Sequence, residues 1–560
     1  MSILENKLTP VGRLRRLLKV DNKDITQVYI YAIFNGLVNL SLPIGIQAII
    51  NLIQGGEAST AWIVLVTFVI AGIALTGILQ LLQLRIVENI AQKIFSRASF
   101  EFAFRIPRIQ FKAFYNYYAP ELANRFFDTL TIQKGLPKML IDFSLALFQI
   151  IIGLIVLSFY HPFFVLFSLI LVALVYIIVA YTGPRGLRTS LEESKQKYRI
   201  AFWLEEVART KLSFKLIGNS QMELDKNNEY VEDYLEAREA HFSVLIQQFL
   251  YLIGFKVFIA AGLLVTGSIL VFNQQMNIGQ FVAAEILIII IIAAVEKLIK
   301  SLDTIYDVLT ALEKIGEVTD MPMDHDEGLK LDMDCKGLNV SIKHLSYGYP
   351  DSPDKIIQDM SFDVPEDTSI RIAGRSGSGK STLLHLISGI LEPSSGIISF
   401  NNLPYASLSL KHLKNHIGLS LSYNSVLNGT ILENIVMGRK DISASDVTEA
   451  LKMVKLYDFV SSIPLGLKTE LDPEGKKIPR SVQCKILLAR AIVHKPKLLI
   501  LEEPLNHLSK DEKRDVIQNL TAENNPWSII FTSVDPIWDE FVKDYIEIDK
   551  GMLVYNSLNK

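Results

Sequence analysis

Six long apolar stretches restrict what this 560-residue chain can fold into. Each is long enough to cross a bilayer as a helix, because an α-helix rises about 1.5 Å per residue and the hydrocarbon core is about 30 Å thick. Half of all residues are hydrophobic and only 21% are charged, which is typical of a membrane protein. The predicted spans are 25–53, 61–84, 139–160, 163–181, 248–272 and 280–302.

The links between these spans alternate in length and in charge. Links 54–59, 161–162 and 273–279 are short and contain no Lys or Arg, whereas 85–138 and 183–247 are long and rich in both. Positive charge marks the cytoplasmic side of a membrane. We therefore expect both termini and both long links in the cytoplasm, and a multi-pass protein of the cytoplasmic (inner) membrane.

The polar and basic stretch 1–24 predicts a cytoplasmic N-terminus. Within it, the segment 9–20 is basic and amphipathic, which is typical of an elbow helix lying in the membrane interface, although an ordinary N-terminal helix fits equally well. No short apolar core with a small-residue cleavage site follows, so we expect no secretory signal. The long cytoplasmic links are helical and polar in pattern and should continue the spans as stalks.

Overall charge and cysteine content exclude two classes of protein. A net charge of −3 gives no indication of a nucleic-acid partner. Two cysteines, Cys335 and Cys484, lie far apart in the polar C-terminal part, which indicates reduced cytosolic thiols and not a disulfide framework.

A glycine-rich stretch at 374–382, G-R-S-G-S-G-K-S-T, fits the phosphate-loop pattern G-x-x-x-x-G-K-[ST] in full. It follows a β-like run and precedes a helix-like run, and this context makes a chance match a weak alternative. Glycines let successive N–H groups face one phosphate chain, and the helix N-terminus adds its dipole. We expect Lys380 to reach the terminal phosphates and Ser381 to ligate Mg²⁺. The predicted nucleotide-binding residues are Gly374, Ser376, Gly377, Gly379, Lys380, Ser381 and Thr382.

These patterns predict an α-helical six-span transmembrane domain followed by an α/β P-loop NTPase domain. The C-terminal part alternates β-like and helical segments, with the phosphate loop at its first strand-to-helix switch. The predicted parts are a cytoplasmic N-terminus (1–24), a transmembrane domain (25–318), a linker (319–337) and a nucleotide-binding domain (338–560).

Six spans followed by a nucleotide-binding domain resemble the half-transporters of the ABC exporter superfamily. The segment 345–350 resembles the family's adenine-stacking segment, which implies that Tyr349 stacks on the base. The segment 498–503 is similar to the Walker B strand, which implies that Glu502, in place of the family's Asp, ligates Mg²⁺. Glu503 then matches the catalytic glutamate that orients the attacking water. The resemblance implies ATP and Mg²⁺ as cofactors.

Three further motifs depart from the family pattern. Ser422 occupies the position of the Q-loop glutamine, and Ser533 aligns with the switch histidine. The stretch 478–482, I-P-R-S-V, shares none of the five residues of the L-S-G-G-Q signature. The signature is a helix start with small residues that closes on the γ-phosphate across a dimer. Arg480 puts a long side chain there, or alternatively pairs a phosphate by charge.

These departures predict a chain that binds ATP well and hydrolyses it poorly, since each missing polar group supplies orders of magnitude of rate. We expect a dimer with another ABC half-transporter, and we favour a heterodimer with a catalytically complete chain over a homodimer. The expected activity is export of a peptide, protein or amphiphile. The alternatives are a homodimeric lipid or drug exporter and an ATPase-deficient structural or regulatory subunit.

Shorter resemblances suggest further partners. The stretch 277–283 resembles exporters of type I protein secretion, without their peptidase domain, which implies a periplasmic adaptor and an outer-membrane channel besides membrane lipid. The segments 121–135 and 214–226 resemble coupling helices that dock on nucleotide-binding domains, although ordinary loop helices fit as well.

Polar residues inside the spans are candidate functional positions, because charge in lipid is costly. Lys256 and Glu285 lie at depths about 16 Å apart by helical rise, so we expect no pair between them. We expect Glu285 near the outer interface and Lys256 facing a hydrated cavity or snorkelling inward. Asp142 is expected at the interface, while the first-span amides line a pathway or join helices. These amides are Asn35, Asn39 and Gln47.

Overall fold

The structure is a computed structural model, and it describes residues 8–54, 60–115, 117–324, 327–331, 335–350, 354–422 and 425–559. The chain divides into two compact units, the first ending at Pro322 and the second beginning at Met323, with Gln110–Lys112 grouped with the second. This division falls inside the predicted linker 319–337, of which residues 325–326 and 332–334 lie outside the described residues.

The first unit is helical. Its described residues include six helical segments that are long and apolar enough to cross a membrane, as predicted. The helices up to Pro322 are α1 (Pro10–Val20), α2 (Asn22–Asn39), α3 (Ser41–Gln54), α4 (Thr60–Arg105), α5 (Phe111–Phe114), α6 (Ala119–Asn124), α7 (Asp128–Pro137), α8 (Ser144–Ser158), α9 (Pro162–Arg209), α10 (Lys211–Ile217), α11 (Met222–Phe272) and α12 (Ile278–Thr319).

Four of these helices are far longer than a bilayer requires. Helices α4, α9, α11 and α12 contain 46, 48, 51 and 42 residues, so each continues beyond its apolar stretch by several turns. The polar links therefore extend the spans as helical stalks. At the start of α12, Asn277 and Gln280 form a reciprocal capping box, which fixes where that helix begins.

Close packing in the first unit uses small residues. The core joins apolar side chains of α8, α9, α11 and α12. A Cβ on Gly186 of α9 would lie 2.4 Å from the ring of Tyr306, so this glycine leaves the space that the α12 tyrosine fills. The Tyr306 hydroxyl then accepts a hydrogen bond from Gln248 Nε2 at 2.8 Å, which ties α12 to α11.

The second unit combines strands and helices. The elements are β1 (Val340–Tyr347), β2 (Ile357–Val364), β3 (Ser369–Ala373), α13 (Lys380–Ile387), β4 (Ser395–Phe400), β5 (Leu403–Pro404), α14 (Leu410–Asn415), β6 (Ile417–Ser420), β7 (Gly429–Thr430), α15 (Ile431–Val436), α16 (Ala444–Met453), α17 (Tyr457–Ser462), β8 (Glu470–Leu471), α18 (Arg480–Ile492), β9 (Leu498–Glu502), α19 (Lys510–Leu520), β10 (Ser528–Thr532), β11 (Tyr545–Asp549) and β12 (Met552–Asn556). This α/β architecture is the predicted fold class.

Two main sheets organise the second unit. An antiparallel sheet has the strand order β2-β1-β4-β5, and a larger sheet has the order β12-β11-β3-β10-β9-β6. Neighbours in the larger sheet run parallel except for β12. Strands β9 and β10 are fully buried along their length, which is why they read as continuous apolar runs and not as alternating ones.

Candidate nucleotide site

The carboxyl ends of four adjacent parallel strands bring the predicted site residues to one edge of the larger sheet. Thr532 of β10 lies opposite Glu502 of β9, and Ser420 of β6 lies opposite Leu501. Strand β3, on the other side of β10, ends where the phosphate loop begins. Ligands of open parallel sheets bind at this edge. The phosphate loop, the acidic pair, the Ser422 segment and the Ser533 segment are therefore neighbours.

The phosphate loop connects β3 to α13 and begins the helix at Lys380, as the sequence pattern predicts. Gly377 and Gly379 adopt φ values of +80° and +101°, which are accessible to glycine and strained for other residues. The Lys380 ammonium donates hydrogen bonds to the carbonyl oxygens of Gly374 and Arg375, both at 2.8 Å. The lysine thus lies folded over its own loop.

The phosphate loop packs closely against β11 on one side and is open on the other. A Cβ on Gly374 would lie 2.2 Å from the Ile548 carbonyl oxygen, so only glycine permits this approach to β11. A Cβ on Gly377 would meet no atom within 4 Å, so the outer side of the loop is open. Ser376 and Ser381 are exposed beside it, whereas Thr382 is buried. The donors of the loop and its open side fit a triphosphate.

Tyr349 lies just after β1 and close to the phosphate-loop helix. Its hydroxyl is 3.3 Å from the Thr382 hydroxyl, and its ring meets that of Tyr347 edge to face, with centroids 5.1 Å apart. An aromatic ring is therefore held at the side of the phosphate loop, where stacking on a base is geometrically feasible.

Glu502 ends the buried strand β9. The residue is only 8% exposed, and its carboxylate accepts a hydrogen bond at 3.0 Å from the backbone N–H of Ser422. Among the described residues, no cluster of three or more His, Cys, Asp or Glu could hold a metal ion by itself. A cation here would take its remaining oxygen ligands from a hydroxyl and from phosphate, which suits Mg²⁺.

Glu503 follows in a strained conformation, with φ at +44°. Its backbone N–H donates to the Thr532 carbonyl at 3.0 Å, and its carboxylate accepts from the Val534 N–H at 3.4 Å. Burial raises the pKa of this carboxyl above its usual range, while the Val534 N–H, the Ser533 hydroxyl and the nearby Lys380 oppose the rise. Ser533, at the switch position, therefore contacts the glutamate directly.

Arg480 is the first residue of α18, directly after Pro479, which caps the helix start. Its side chain is exposed and forms no ion pair within the part of the chain that the structure describes. It lines a cleft of about 660 Å³ together with Ser422, Glu502 and Glu503. The helix start at the signature position is thus present, but a long cation replaces the small residues.

Charged residues of the spans pair with each other. Lys256 pairs with Glu296 and, as predicted, not with Glu285 among the described residues. Lys256 hydrogen-bonds the carboxylate of Glu296 on α12, which also pairs with Lys300 at 2.7 Å. Glu296 lies within the predicted span 280–302, on the helix next to that of Lys256. Lys297 similarly pairs with Asp142 at 2.8 Å. Lys256 and Glu296 lie equally far from the short link 273–279 that joins their two predicted spans, which places them at equal depth.

Two amides of the first predicted span, Gln47 and Asn35, pack against other parts of the first unit. Gln47 accepts a hydrogen bond from the Tyr160 hydroxyl at 2.7 Å, which joins α3 to the end of α8. Asn35 is fully buried, and its side-chain oxygen and nitrogen have no hydrogen-bond partner among the described residues. The predicted coupling segment 121–135 covers the end of α6, the turn after it and most of α7. The segment 214–226 covers the end of α10, a short connection and the first turn of the long helix α11. Their docking role stays a prediction.

Two family models match the chain. A model described as "ABC transporter transmembrane region" matches residues 27–295, and one described as "ABC transporter" matches residues 357–506. The second match contains the phosphate loop, Ser422, Arg480 and the Glu502–Glu503 pair.

Similar proteins include bacterial exporters. An export ATP-binding/permease protein of Rickettsia bellii is 24% identical over 91% of this chain and 88% of its own length. The leukotoxin translocation ATP-binding protein LktB of a Pasteurella haemolytica-like species is 29% identical, over 45% of this chain and 36% of that protein. A solved bacterial Atm1-family ABC exporter with ATP bound has a TM-score of 0.80 at 17% identity, covering 96% of both chains. This structural similarity concerns the fold alone.

Proposed function

Because this chain belongs to the ABC transporter superfamily, as an exporter-type half-transporter, we propose that it is the ATP-binding, weakly hydrolysing half of an export dimer. Family membership carries ATP binding and a multi-pass membrane location. The proposal adds the division of labour with a partner chain, the inner membrane, and both termini in the cytoplasm.

One observation supports the division of labour. The binding half of the site keeps its loop, Lys380 and Glu503, while the three groups that complete the family's site are replaced. Arg480 is exposed at the start of α18, where a dimer needs small residues to approach a γ-phosphate. A homodimer would carry this replacement in both sites. A heterodimer with a complete partner would place an intact signature opposite Lys380 and Glu503.

Each predicted site residue receives a role in this proposal. The loop residues 374–382 bind the triphosphate, and Tyr349 stacks on adenine. Ser381 and Glu502 hold Mg²⁺, which when bound neutralises charge on the phosphate oxygens. Glu503 accepts a proton from, or orients, the attacking water, and its raised pKa suits a base.

We propose a peptide, protein or amphiphile as the exported substrate. The stretch 277–283, which resembles type I secretion exporters, supports this, as does the similarity to LktB, whose name refers to leukotoxin translocation. In that setting a periplasmic adaptor and an outer-membrane channel would complete the pathway.

The decisive test is the ATPase rate of the purified chain in lipid nanodiscs, with nucleotide affinity measured on the same sample. We expect Lys380→Ala to lose nucleotide binding and Glu503→Gln to keep it. The wild-type rate should not exceed that of Glu503→Gln. A high wild-type rate that either substitution abolishes would contradict the proposal and favour a homodimeric exporter.

A restored variant makes the test sharper. Ser422→Gln and Ser533→His, combined with L-S-G-G-Q at 478–482, should raise the rate by about 100-fold or more, because each restored group stabilises the transition state. Unchanged nucleotide affinity would show that the fold is intact. A restored variant that binds ATP without faster hydrolysis would mean that these positions do not limit turnover.

A further inference from the structure

An apolar groove of about 700 Å³ runs between α9 and α11 in the first unit. Its floor is formed by Ile178 and Phe255, which are 8% and 3% exposed, and its walls include the exposed side chains of Ile177 and Phe258. Both helices are long and apolar enough to cross a membrane, and the lining is apolar apart from two tyrosine hydroxyls.

The groove lies in the cytoplasmic half of the bilayer. Measured by helical rise from the outer helix ends at Pro162 and Phe272, Tyr181 and Tyr251 lie about 29 and 32 Å inward. Both lining tyrosines are therefore at the level of the inner headgroups, where aromatic residues collect. The Tyr251 hydroxyl accepts a hydrogen bond from Gln247 Nε2 at 2.9 Å.

A positive charge stands at the headgroup end of the groove. Arg185 lies one turn beyond Tyr181, and its guanidinium carbon is 4.4 Å from the centre of that ring. The side chain is exposed and forms no ion pair within the described parts of the chain. An apolar channel that ends in two hydroxyls and a guanidinium without an ion pair among the described residues is complementary to a lipid with an anionic headgroup.

We propose that this groove binds one anionic phospholipid of the cytoplasmic leaflet, with an acyl chain along α9 and α11 and its phosphate beside Arg185. Three properties of the groove support this occupant: its depth in the membrane, its apolar lining and the positive charge of Arg185 at its end. The site depends on membrane insertion alone and not on ATP turnover or on a partner chain, so it stands or falls separately from the proposed export function.

A glycine keeps the groove open and offers a clean test. A Cβ on Gly254 would meet no atom within 4 Å, so a larger side chain can enter the groove without a clash. Gly77 of α4 is equally open and provides a matched control. The two glycines lie at the same depth. The number of residues from Thr60, the outer end of α4, to Gly77 differs by only one from the number between Gly254 and Phe272, the outer end of α11.

The experiment measures lipid immobilisation by electron paramagnetic resonance in phosphatidylcholine nanodiscs that hold the full chain. The probes are phosphatidylglycerol and phosphatidylcholine, each spin-labelled on an acyl chain. We expect the wild type to immobilise phosphatidylglycerol with about fivefold preference. Gly254→Leu should remove the preference together with the immobilised lipid, and Gly77→Leu should keep both. Arg185→Gln should remove the headgroup preference alone.

Three results would overturn the proposal. One is equal immobilisation of the two lipids by the wild type. Another is an undiminished phosphatidylglycerol signal in Gly254→Leu with nucleotide affinity and unfolding temperature unchanged, which would place the lipid elsewhere. The third is capture of a second protein chain by a photo-crosslinker at position 254, which would make the groove a protein interface.

Discussion

The ammonium group of Lys256 in α11 is paired with the carboxylate of Glu296 in α12, and the two residues lie at the same membrane depth. Lys256 is as far along the chain from position 272, where its predicted span ends, as Glu296 is from position 280, where the next span begins. Glu296 also binds Lys300, so the three side chains form one network across two spans. Opposite charges at equal depth reduce the cost of placing either one in lipid.

We expect Glu296→Leu to destabilise the first unit by about 1–2 kcal/mol, because Lys256 is left without its counter-charge. The double variant Lys256→Leu with Glu296→Leu should recover most of this loss. Thermal unfolding in detergent micelles provides the measurement. Lys300→Leu is the control, because it removes the more exposed of the two lysines that pair with Glu296. Additive losses in the double variant would mean that the pair contributes no coupling energy.

Gly379→Ala should impair the phosphate loop both sterically and conformationally. The residue has φ at +101°, and its Cβ would lie 2.9 Å from Ile357 Cδ1. We expect nucleotide affinity to fall by about 10- to 100-fold, as hydrogen bonds to charged phosphate oxygens are lost. Isothermal titration with ATP measures the change.

Gly438→Ala is the matched control for that substitution. Gly438 has φ at +74° and no atom within 4 Å of its Cβ, and it lies outside the phosphate loop. It should therefore lower stability by about 1 kcal/mol through backbone strain while ATP affinity stays unchanged. Equal losses of affinity in both variants would show that the loop geometry is not the cause.

The sequence predicted whatever depends on local pattern. The phosphate loop between β3 and α13, the six spans and the helical stalks all follow from periodicity, glycine positions and charge. The contact of Glu502 with the Ser422 N–H needed the strand order of the larger sheet, which brings together segments that are distant in the chain. The Lys256–Glu296 pair also follows from the sequence, because equal residue counts from the link 273–279 place the two side chains at equal depth on neighbouring spans.

The raised pKa of Glu503 should lower the stability of the folded chain at neutral pH. Burial raises its pKa, so the folded state disfavours the charged carboxylate. The penalty is fully present above the raised pKa, and it vanishes as pH falls below the value of the unfolded chain. We therefore expect Glu503→Gln to unfold at a higher temperature than the wild type at neutral pH, with the difference shrinking towards pH 4. A difference independent of pH would indicate another cause.

His494 should make the second unit sensitive to acid. Burial, with a smaller effect from Arg439, lowers the pKa of its imidazole to about 4. Between an unfolded-state value of about 6.5 and this value, the unfolded chain binds the proton and the folded chain does not. Stability therefore falls as pH decreases through this window, by roughly 3 kcal/mol in total.

The variant His494→Phe removes this titration while keeping an aromatic ring of similar shape in the same place. We expect it to lose less stability than the wild type between pH 7 and pH 4.5, with both followed by thermal unfolding of the full chain. His344→Asn is the control, because His344 is 81% exposed in its side chain and has φ at +51°, which Asn tolerates. If both variants follow the wild-type pH dependence, the acid sensitivity of the second unit arises from carboxylates and not from the buried imidazole.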